Sequence, residues 1–212
     1  MNQIEIISAK LIDGDDEAVG NLVRHALSQG LAPRAILDNG LIAGMNVIGS
    51  RFKNHEIFLP DVLLAARAMY AGLDPLKPLL EQEGGAARGT VILGTVRGDL
   101  HDIGKNLVAI MLRGAGFEVI DLGHDVPPEK FVAAAREHHA DVIGLSALLT
   151  TTMIGMRDVV DRVKSEGLRG QVKVIVGGAP VSADFAREIG ADAHGYDAAN
   201  AVERVQALIG GK

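Results

Sequence analysis

Thr90-Val91-Ile92-Leu93-Gly94-Thr95 leads through the loop Gly98-Asp99-Leu100-His101-Asp102-Ile103-Gly104 into the segment Lys105-Asn106-Leu107-Val108-Ala109-Ile110-Met111-Leu112. The first run is short and rich in apolar and β-branched residues, which predicts a strand, and the last has the apolar spacing of a helix. The loop between them therefore lies at the carboxyl end of a strand. In open α/β sheets this is the edge at which ligands bind.

The histidine of this loop follows an aspartate by two positions. His101 can present one ring nitrogen to a metal ion while the carboxylate of Asp99 holds the proton of the other nitrogen. The pattern Asp-x-His-x-x-Gly also fits a second interpretation, in which the aspartate caps a helix beside a surface histidine. The loop by itself leaves both interpretations open.

Strands and helices alternate along the rest of the chain. Further strands are predicted at Glu118 to Leu122, Asp141 to Leu145, Lys173 to Val176 and Ala193 to Tyr196. Helices are predicted at Lys105 to Arg113, Glu129 to His138, Met153 to Glu166, Ala183 to Ile189 and Ala198 to Leu208. Parallel strands need crossover connections, and right-handed crossovers dominate. The five repeats therefore predict an α/β fold with a flavodoxin-like, doubly wound, parallel five-stranded sheet.

The first part of the chain shows only helical spacing of its apolar residues. Pro60 fits the first turn of a helix, and Asp74-Pro75 is expected to open a short final helix. Four or five helices with short connections predict a small all-α bundle. Because Gly84 to Gly89 has the composition of a linker, we predict one domain at residues 1–88 and a second at residues 89–212.

The overall composition excludes several classes of function. With 48% hydrophobic residues the chain can build a packed core, and a net charge of -6 argues against a nucleic-acid surface. Cysteine is absent, so any metal must be held by nitrogen or oxygen or arrive inside a cofactor. No apolar run approaches the length of a membrane span, and the N-terminus lacks the layout of a signal peptide. We therefore expect a soluble cytoplasmic protein.

Two more loops of unusual composition follow strands of the predicted sheet. Ser146 to Thr152 is rich in hydroxyl groups, and Gly177-Gly178 follows the fourth strand. At a shared sheet edge, these loops and the His101 loop would leave a slot where backbone approaches a large ligand. Two other interpretations stay open: Thr151 or Thr152 can cap a helix, and the glycine pair can form a plain turn.

Asp99-x-His101-x-x-Gly104, Ser146-x-Leu148 and Gly177-Gly178 together resemble the cobalamin-binding signature of cobalamin-dependent methionine synthase and of the small corrinoid proteins of methyltransferase systems. The first half is similar too, through Met45 to Gly49 and Phe58-Leu59-Pro60, which resemble the helical cap that covers the corrin ring in that family. The resemblance spans essentially the whole chain. It implies a helical bundle cap domain followed by a Rossmann-like cobalamin-binding domain.

The resemblance implies a role for each matching residue. His101 would be the lower axial ligand of cobalt, in place of the cofactor's own benzimidazole, and Asp99 would accept its distal proton. Thr152, where methionine synthase has serine, would extend this relay, and Phe58 would pack over the methyl face of the cofactor. Residues implied to line the cleft for the displaced nucleotide tail are Ser146, Leu148, Gly177 and Gly178, and those implied to contact the cofactor elsewhere are Leu100, Asp102, Ile103, Gly104 and Thr150.

The resemblance further implies a methyl carrier that uses cobalamin or a related corrinoid. Cob(I)alamin would accept a methyl group from a substrate-specific methyltransferase acting on methylated amines, betaines, methanol or aryl methyl ethers. Methylcobalamin would then donate the group to a second methyltransferase with a thiol or tetrahydrofolate acceptor. A reductive activator is a further expected partner, whereas nucleic acid and membranes are not.

Three other functions remain as alternatives. A cobalamin-dependent sensor or regulator resembles this chain but carries a DNA-binding segment, which is not expected here. The cobalamin-binding subunit of a mutase resembles the second half but usually lacks the cap carrying Phe58-Leu59-Pro60. A metal-dependent phosphohydrolase would need further histidines near His101 and Asp102.

His124 is a secondary candidate for a ligand contact, because it follows the second predicted strand at the same edge of the sheet.

Overall fold

The computed structural model describes residues 2–82 and 87–210. The described residues fall into two compact units, those within Met1–Ala87 and Gly114–Gly116 and those within Arg88–Arg113 and Phe117–Lys212. The predicted linker falls partly on residues 83–86, outside the described residues, and the domain boundary after residue 88 stays a prediction. In the described part of the chain, no helix combines the length and apolar content that crossing a membrane requires.

The first unit is built from helices, as predicted. Asn2 begins the first helix with a capping box, since its side chain accepts from the Glu5 backbone while the Glu5 carboxylate accepts from the Asn2 backbone. Asp15 caps the second helix by accepting from Ala18 N at 3.0 Å. The helices are α1 (Gln3–Ile12), α2 (Asp16–Ser28), α3 (Pro33–Ile36), a π-helical segment (Leu37–Ile42), α4 (Ala43–Lys53) and α5 (Leu59–Gln82).

The prediction of a separate helix opening at Asp74-Pro75 is wrong. Helix α5 continues through Pro75 and Pro78, although a proline inside a helix removes a hydrogen bond and costs about 3 kcal/mol. The apolar stripe of α5 continues past Met69 to the buried Leu76 and Leu80. The two prolines together cost about 6 kcal/mol, and burying the two leucines contributes about 3–6 kcal/mol, which offsets much of that cost.

The second unit is a parallel five-stranded sheet with helices between its strands. Its strands are β1 (Thr90–Thr95), β2 (Glu118–Asp121), β3 (Val142–Ser146), β4 (Lys173–Gly177) and β5 (Ala193–Gly195). Its helices are α6 (Ile103–Gly114), α7 (Pro128–Glu137), α8 (Gly155–Ser165), α9 (Ala183–Ile189) and α10 (Ala198–Gly210). Each predicted strand and helix of this unit is confirmed, with ends that differ from the predicted ones by at most two residues.

The strand order, β2-β1-β3-β4-β5 with every pair parallel, confirms the flavodoxin-like prediction. The chain moves outward from β1 to β2 and then returns past β1 to β3, so the strand order reverses between β1 and β3. Open α/β sheets bind ligands at such a switch point, outside the carboxyl ends of the strands. Because Thr95 pairs with Ser146 at this edge, the loops that follow β1 and β3 start side by side.

Candidate functional site

The Asp99–His101 pair forms the centre of the loop that follows β1. His101 Nδ1 lies 2.8 Å from Asp99 Oδ1, and the His101 backbone N–H donates to the same oxygen at 3.0 Å. The Asp99 side chain is fully buried, whereas the His101 side chain is 50% exposed. With Nδ1 turned toward the carboxylate, Nε2 lies on the far side of a half-exposed ring, where it can meet a ligand.

The second oxygen of Asp99 connects this loop to the loop that follows β3. Asp99 Oδ2 accepts from Thr152 Oγ1 at 2.6 Å and from the backbone N–H groups of Leu148 at 2.8 Å and Leu149 at 3.3 Å. Burial raises the pKa of the Asp99 carboxyl, but its hydrogen bonds outweigh burial and hold that pKa well below its usual range, the Thr152 bond foremost. Asp99 is therefore a stable carboxylate that fixes the His101 ring.

The alternative interpretations of Asp99 and Thr152 as helix caps are not supported by these contacts. Asp99 bonds to its own loop and to the loop after β3 rather than to the first turn of α6. Helix α8 begins only at Gly155, and its N-cap residue Ile154 makes no side-chain capping hydrogen bond. The Thr152 hydroxyl instead reaches Asp99, so the structure brings together the three residues of the predicted relay.

Two residues that the sequence did not single out hold the His101 loop in place. The fully buried Thr95 donates from Oγ1 to the His101 carbonyl at 3.2 Å. Asp125 accepts from Gly98 N at 2.7 Å through Oδ1 and donates from its own backbone N–H to the Asp99 carbonyl at 3.0 Å. Asp125 has φ 53 and Gly98 has φ 82. The sequence gives no signal for the Asp125 contacts, because they depend on two left-handed turns in different loops.

The glycine pair at the end of β4 does more than form a plain turn, since Gly177 is the last residue of the strand and Gly178 follows it. Gly178 has φ 127, and a Cβ there would lie 1.9 Å from the carbonyl oxygen of Ala147. The two loops thus approach so closely at the sheet edge that a side chain at this position has no room. Gly177 pairs with both Ser146 and Gly195 in the sheet register, which places all three at the same edge.

The remaining predicted contact residues of the second unit surround this edge. Leu100, Ile103 and Leu148 are large apolar side chains that the fold leaves exposed. Exposed apolar groups gathered near a polar centre are typical of a binding surface. Asp102 accepts from Asn106 N through its carbonyl, Thr150 is exposed, Ser146 is half-buried and His124 is exposed in the loop after β2.

Phe58 belongs to the first unit, where its side chain is 67% exposed. Its backbone N–H donates to Asp61 Oδ2 at 2.9 Å, which fixes the start of α5. The predicted contact between Phe58 and a cofactor stays a prediction, as do the cofactor roles of the other predicted residues.

A metal ion can also be held entirely by protein side chains. Among residues 2–82 and 87–210, no group of three or more His, Cys, Asp or Glu side chains is placed to hold a metal ion. The phosphohydrolase alternative needs such a group around His101 and Asp102. A single imidazole steadied by a carboxylate instead fits a metal whose other coordination sites are filled by a cofactor.

Comparisons with known proteins place both parts of the chain in families with the same description. Residues 89–205 match the family described as B12 binding domain, and residues 3–77 match a second family with the same description. The chain is 44% identical over 213 residues to trimethylamine corrinoid protein 1 of Methanosarcina mazei, covering 98% of this chain and 99% of the relative. It is 49% identical over 207 residues to dimethylamine corrinoid protein 1 of Methanosarcina acetivorans, covering 97% of each.

A solved structure is similar as well. A chain in the crystal structure of the methanol:cobalamin methyltransferase complex MtaBC from Methanosarcina barkeri superposes with a TM-score of 0.88 at 33% sequence identity. The match covers 99% of this chain and 80% of that chain.

Proposed function

We propose that this chain, which belongs to the corrinoid proteins with B12-binding domains, carries a methyl group between two methyltransferases on the cobalt of its bound corrinoid. Cobalamin or a related corrinoid is the cofactor of this family. When bound, it supplies a cobalt centre that accepts a methyl group from one partner and gives it to another. The single observation that carries the proposal is the His101 imidazole held by the buried Asp99 carboxylate at 2.8 Å.

The residues present fit such a cofactor in their donor chemistry. An imidazole whose Nδ1 proton is held by a carboxylate keeps the lone pair on Nε2 and is the more basic ligand. Asp99 keeps its charge because four donors from two loops and the His101 ring surround it. We assign His101 as the lower axial ligand, Asp99 as the acceptor of its distal proton, and Thr152 as the donor that keeps Asp99 ionised.

Gly104 provides an independent sign that a ligand approaches this loop. A Cβ at Gly104 would meet no heavy atom of the described residues within 4 Å beyond its neighbours and its own helix backbone. The fold thus leaves room for a side chain at this second residue of α6, although helices favour alanine over glycine. Close approach of a flat macrocycle to the backbone accounts for the glycine.

The loops at the same edge suit the nucleotide tail of the cofactor. Ser146 ends β3, and Leu148 lies in the following loop, which Asp99 holds through backbone hydrogen bonds. Gly178 lets the next loop pass close to it. We assign these residues, with Gly177 and Thr150, to the binding of the cofactor's nucleotide tail, which would not hold cobalt if His101 does. Leu100 and Ile103, exposed on the His101 loop, would cover apolar parts of the corrin.

The donor class is proposed to be a methylated amine. The relatives named above are a trimethylamine and a dimethylamine corrinoid protein that match this chain from end to end. The structural relative belongs to a complex with a methyltransferase, and we propose a separate methyltransferase as the donor-side partner of this chain. A second methyltransferase, with a thiol or tetrahydrofolate acceptor, and a reductive activator complete the proposed system.

Axial coordination by His101 is tested by loading the chain with cobalamin. Protein labelled with ¹⁵N-histidine is loaded, reduced to the Co(II) state and examined by electron paramagnetic resonance. Coordination by the labelled imidazole splits the cobalt signal into doublets, whereas the cofactor's own ¹⁴N base splits it into triplets. We expect doublets that vanish in His101→Gly, with a matching change in the visible spectrum; triplets in the wild-type protein, or an unchanged His101→Gly spectrum, would remove the assignment.

Methyl transfer is tested separately. The loaded and reduced chain is mixed with methyltransferases specific for trimethylamine, dimethylamine or methanol, and methylation of the cofactor is followed by its visible spectrum. We expect methylation with an amine-specific enzyme and a methylated amine. Methylation only with methanol and its enzyme would overturn the donor class, and absence of cobalamin retention would end the proposal as a whole.

A further inference from the structure

We propose that Lys105 and Asp121 are positioning residues for His101, and that their buried ion pair sets how firmly the imidazole is held toward cobalt. The inference rests on the proposed function, because it concerns the same ligand. It adds a pair of residues from the first turn of α6 and the end of β2 to the machinery around Asp99.

The ion pair is short and enclosed. Lys105 Nζ donates to both oxygens of Asp121 at 2.6 Å and to Asn106 Oδ1 at 2.7 Å. The Lys105 side chain is 1% exposed and that of Asp121 is 26% exposed. Asp121 Oδ1 also accepts from the Gly123 backbone N–H at 2.9 Å. The ammonium group thus has three side-chain oxygens as acceptors, and the carboxylate has a further donor from its own loop.

This ion pair is a costly way to stabilise a fold. Removing an ammonium group from water costs several kcal/mol, and replacing a buried ion pair by apolar residues is often neutral or stabilising. Lysine is among the residues that are almost never fully buried unless they are paired. A gain in folding stability is therefore a poor explanation for Lys105, and a gain in fixed position is a better one.

What the ion pair fixes is the segment that carries His101. Lys105 lies four positions after His101, in the first turn of α6, where Asn106 N donates to the Asp102 carbonyl at 2.8 Å. Asp121 ends β2 and pairs with Leu93 in the sheet register. The ion pair therefore anchors the end of the loop that leads into α6 to the sheet, while Thr95 and Asp99 hold His101 itself. The loop is fixed at both ends.

Lys105→Met is the variant that tests this role. Methionine keeps an unbranched apolar stem of similar length, so the buried space stays filled. Asp121 is left partly exposed, so water can solvate its carboxylate, and its bond from Gly123 is kept. Asp121→Asn serves as a second variant. Arg169→Met is the matched control, because Arg169 pairs with Asp192 in the same unit, beside Val174 near the start of β4 and away from the His101 loop.

The readout is the fraction of bound cobalamin that histidine coordinates. Full-length protein labelled with ¹⁵N-histidine is loaded with cobalamin and reduced to Co(II), and doublet and triplet signals are quantified by electron paramagnetic resonance. We expect Lys105→Met to retain cobalamin but to lower the ratio of histidine-coordinated cofactor, seen as doublets, to cofactor without a histidine ligand, seen as triplets or an unsplit signal, about tenfold or more, the low end of what outer partners of metal ligands contribute. Arg169→Met should keep the wild-type ratio.

Each outcome decides one of the two proposals. A Lys105→Met protein with the wild-type ratio would overturn the positioning role, and so would equal losses in Lys105→Met and Arg169→Met. If circular dichroism shows that neither Lys105→Met nor Asp121→Asn folds, the pair serves stability and the inference is rejected. If the wild-type protein gives no doublet, it is the coordination by His101 that fails, whatever the variants show.

Discussion

Replacing Thr152 by valine removes the hydroxyl that donates to the buried Asp99 carboxylate and that also lies 3.0 Å from the Leu149 carbonyl oxygen. Valine has the same shape and the same branching at Cβ as threonine, so packing is kept while the hydroxyl is lost. The lost bond, from Thr152 Oγ1 to Asp99 Oδ2, has a length of 2.6 Å, as expected for a hydrogen bond to a charged group. Asp99 is fully buried, so water cannot replace the missing donor easily.

The cost of this change follows from what remains around Asp99. A hydrogen bond to a charged group contributes about 1.5–3 kcal/mol. In Thr152→Val, Asp99 Oδ2 still accepts from the Leu148 backbone at 2.8 Å and, more weakly, from Leu149 at 3.3 Å. We therefore expect a loss in the lower part of that range, about 1.5–2 kcal/mol in the free energy of unfolding, which is a factor of roughly 10–30 in the equilibrium constant.

Urea unfolding of the protein without cofactor, followed by circular dichroism, measures this loss. Thr152→Ser is the matched control, because it keeps the hydroxyl and removes only a methyl group, worth at most about 0.8 kcal/mol when fully buried. Thr152→Ser should thus be more stable than Thr152→Val. A Thr152→Val protein within about 0.5 kcal/mol of wild type, the range of neutral surface changes, would refute the hydrogen bond as a stabilising contact of Asp99.

Two further predictions concern the same unit in the absence of cofactor. Gly178→Ala should lower the free energy of unfolding by about 3 kcal/mol or more, because it combines a disfavoured φ of 127 with a Cβ placed 1.9 Å from the Ala147 carbonyl oxygen. Urea unfolding checks this, and near-wild-type stability would show that the two loops do not approach as described. Hydrogen bonds hold the pKa of Asp99 below the value of about 3.9 that an aspartate has in the unfolded chain. The contribution of the Asp99 carboxylate to the free energy of unfolding is therefore complete above that pH and is lost as the pH falls below it. The stability difference between wild type and Asp99→Asn should therefore narrow between about pH 5 and pH 3, and a difference that stays constant over this range would contradict the shift.

The sheet could be predicted from the sequence because its signals are local and repeated. Each strand is a short apolar run and each crossover helix has its own apolar stripe, so β1 to β5 were found with small errors at their ends. The helix opening at Asp74-Pro75 was predicted wrongly because proline usually marks a helix start or end. Only the buried Leu76 and Leu80 of the folded unit explain why α5 continues. The π-helical segment Leu37–Ile42 likewise has no local signal.

The central residues of the candidate site could be predicted from the sequence, but the contacts that hold its loops in place could not. Motif spacing and sheet topology indicated Asp99 and His101, whereas the role of Thr152 was implied by the resemblance to the cobalamin-binding family. Asp125 could not, because its contact with Gly98 requires a left-handed residue in another loop. The pairing of Lys105 with Asp121 spans 16 positions, and a sequence does not show which of many charged residues will be buried together.

Gly104 and Gly178 differ in the space that the fold leaves for a side chain. At Gly178 the fold itself requires glycine, because a Cβ would collide with the backbone of the neighbouring loop. At Gly104 a Cβ would meet none of the described atoms outside its own local backbone, and alanine would suit the helix better. The contacts of the described residues therefore do not require glycine at position 104. Under the proposed function, close approach of the corrin to the first turn of α6, beside the His101 ring, would require glycine at this position.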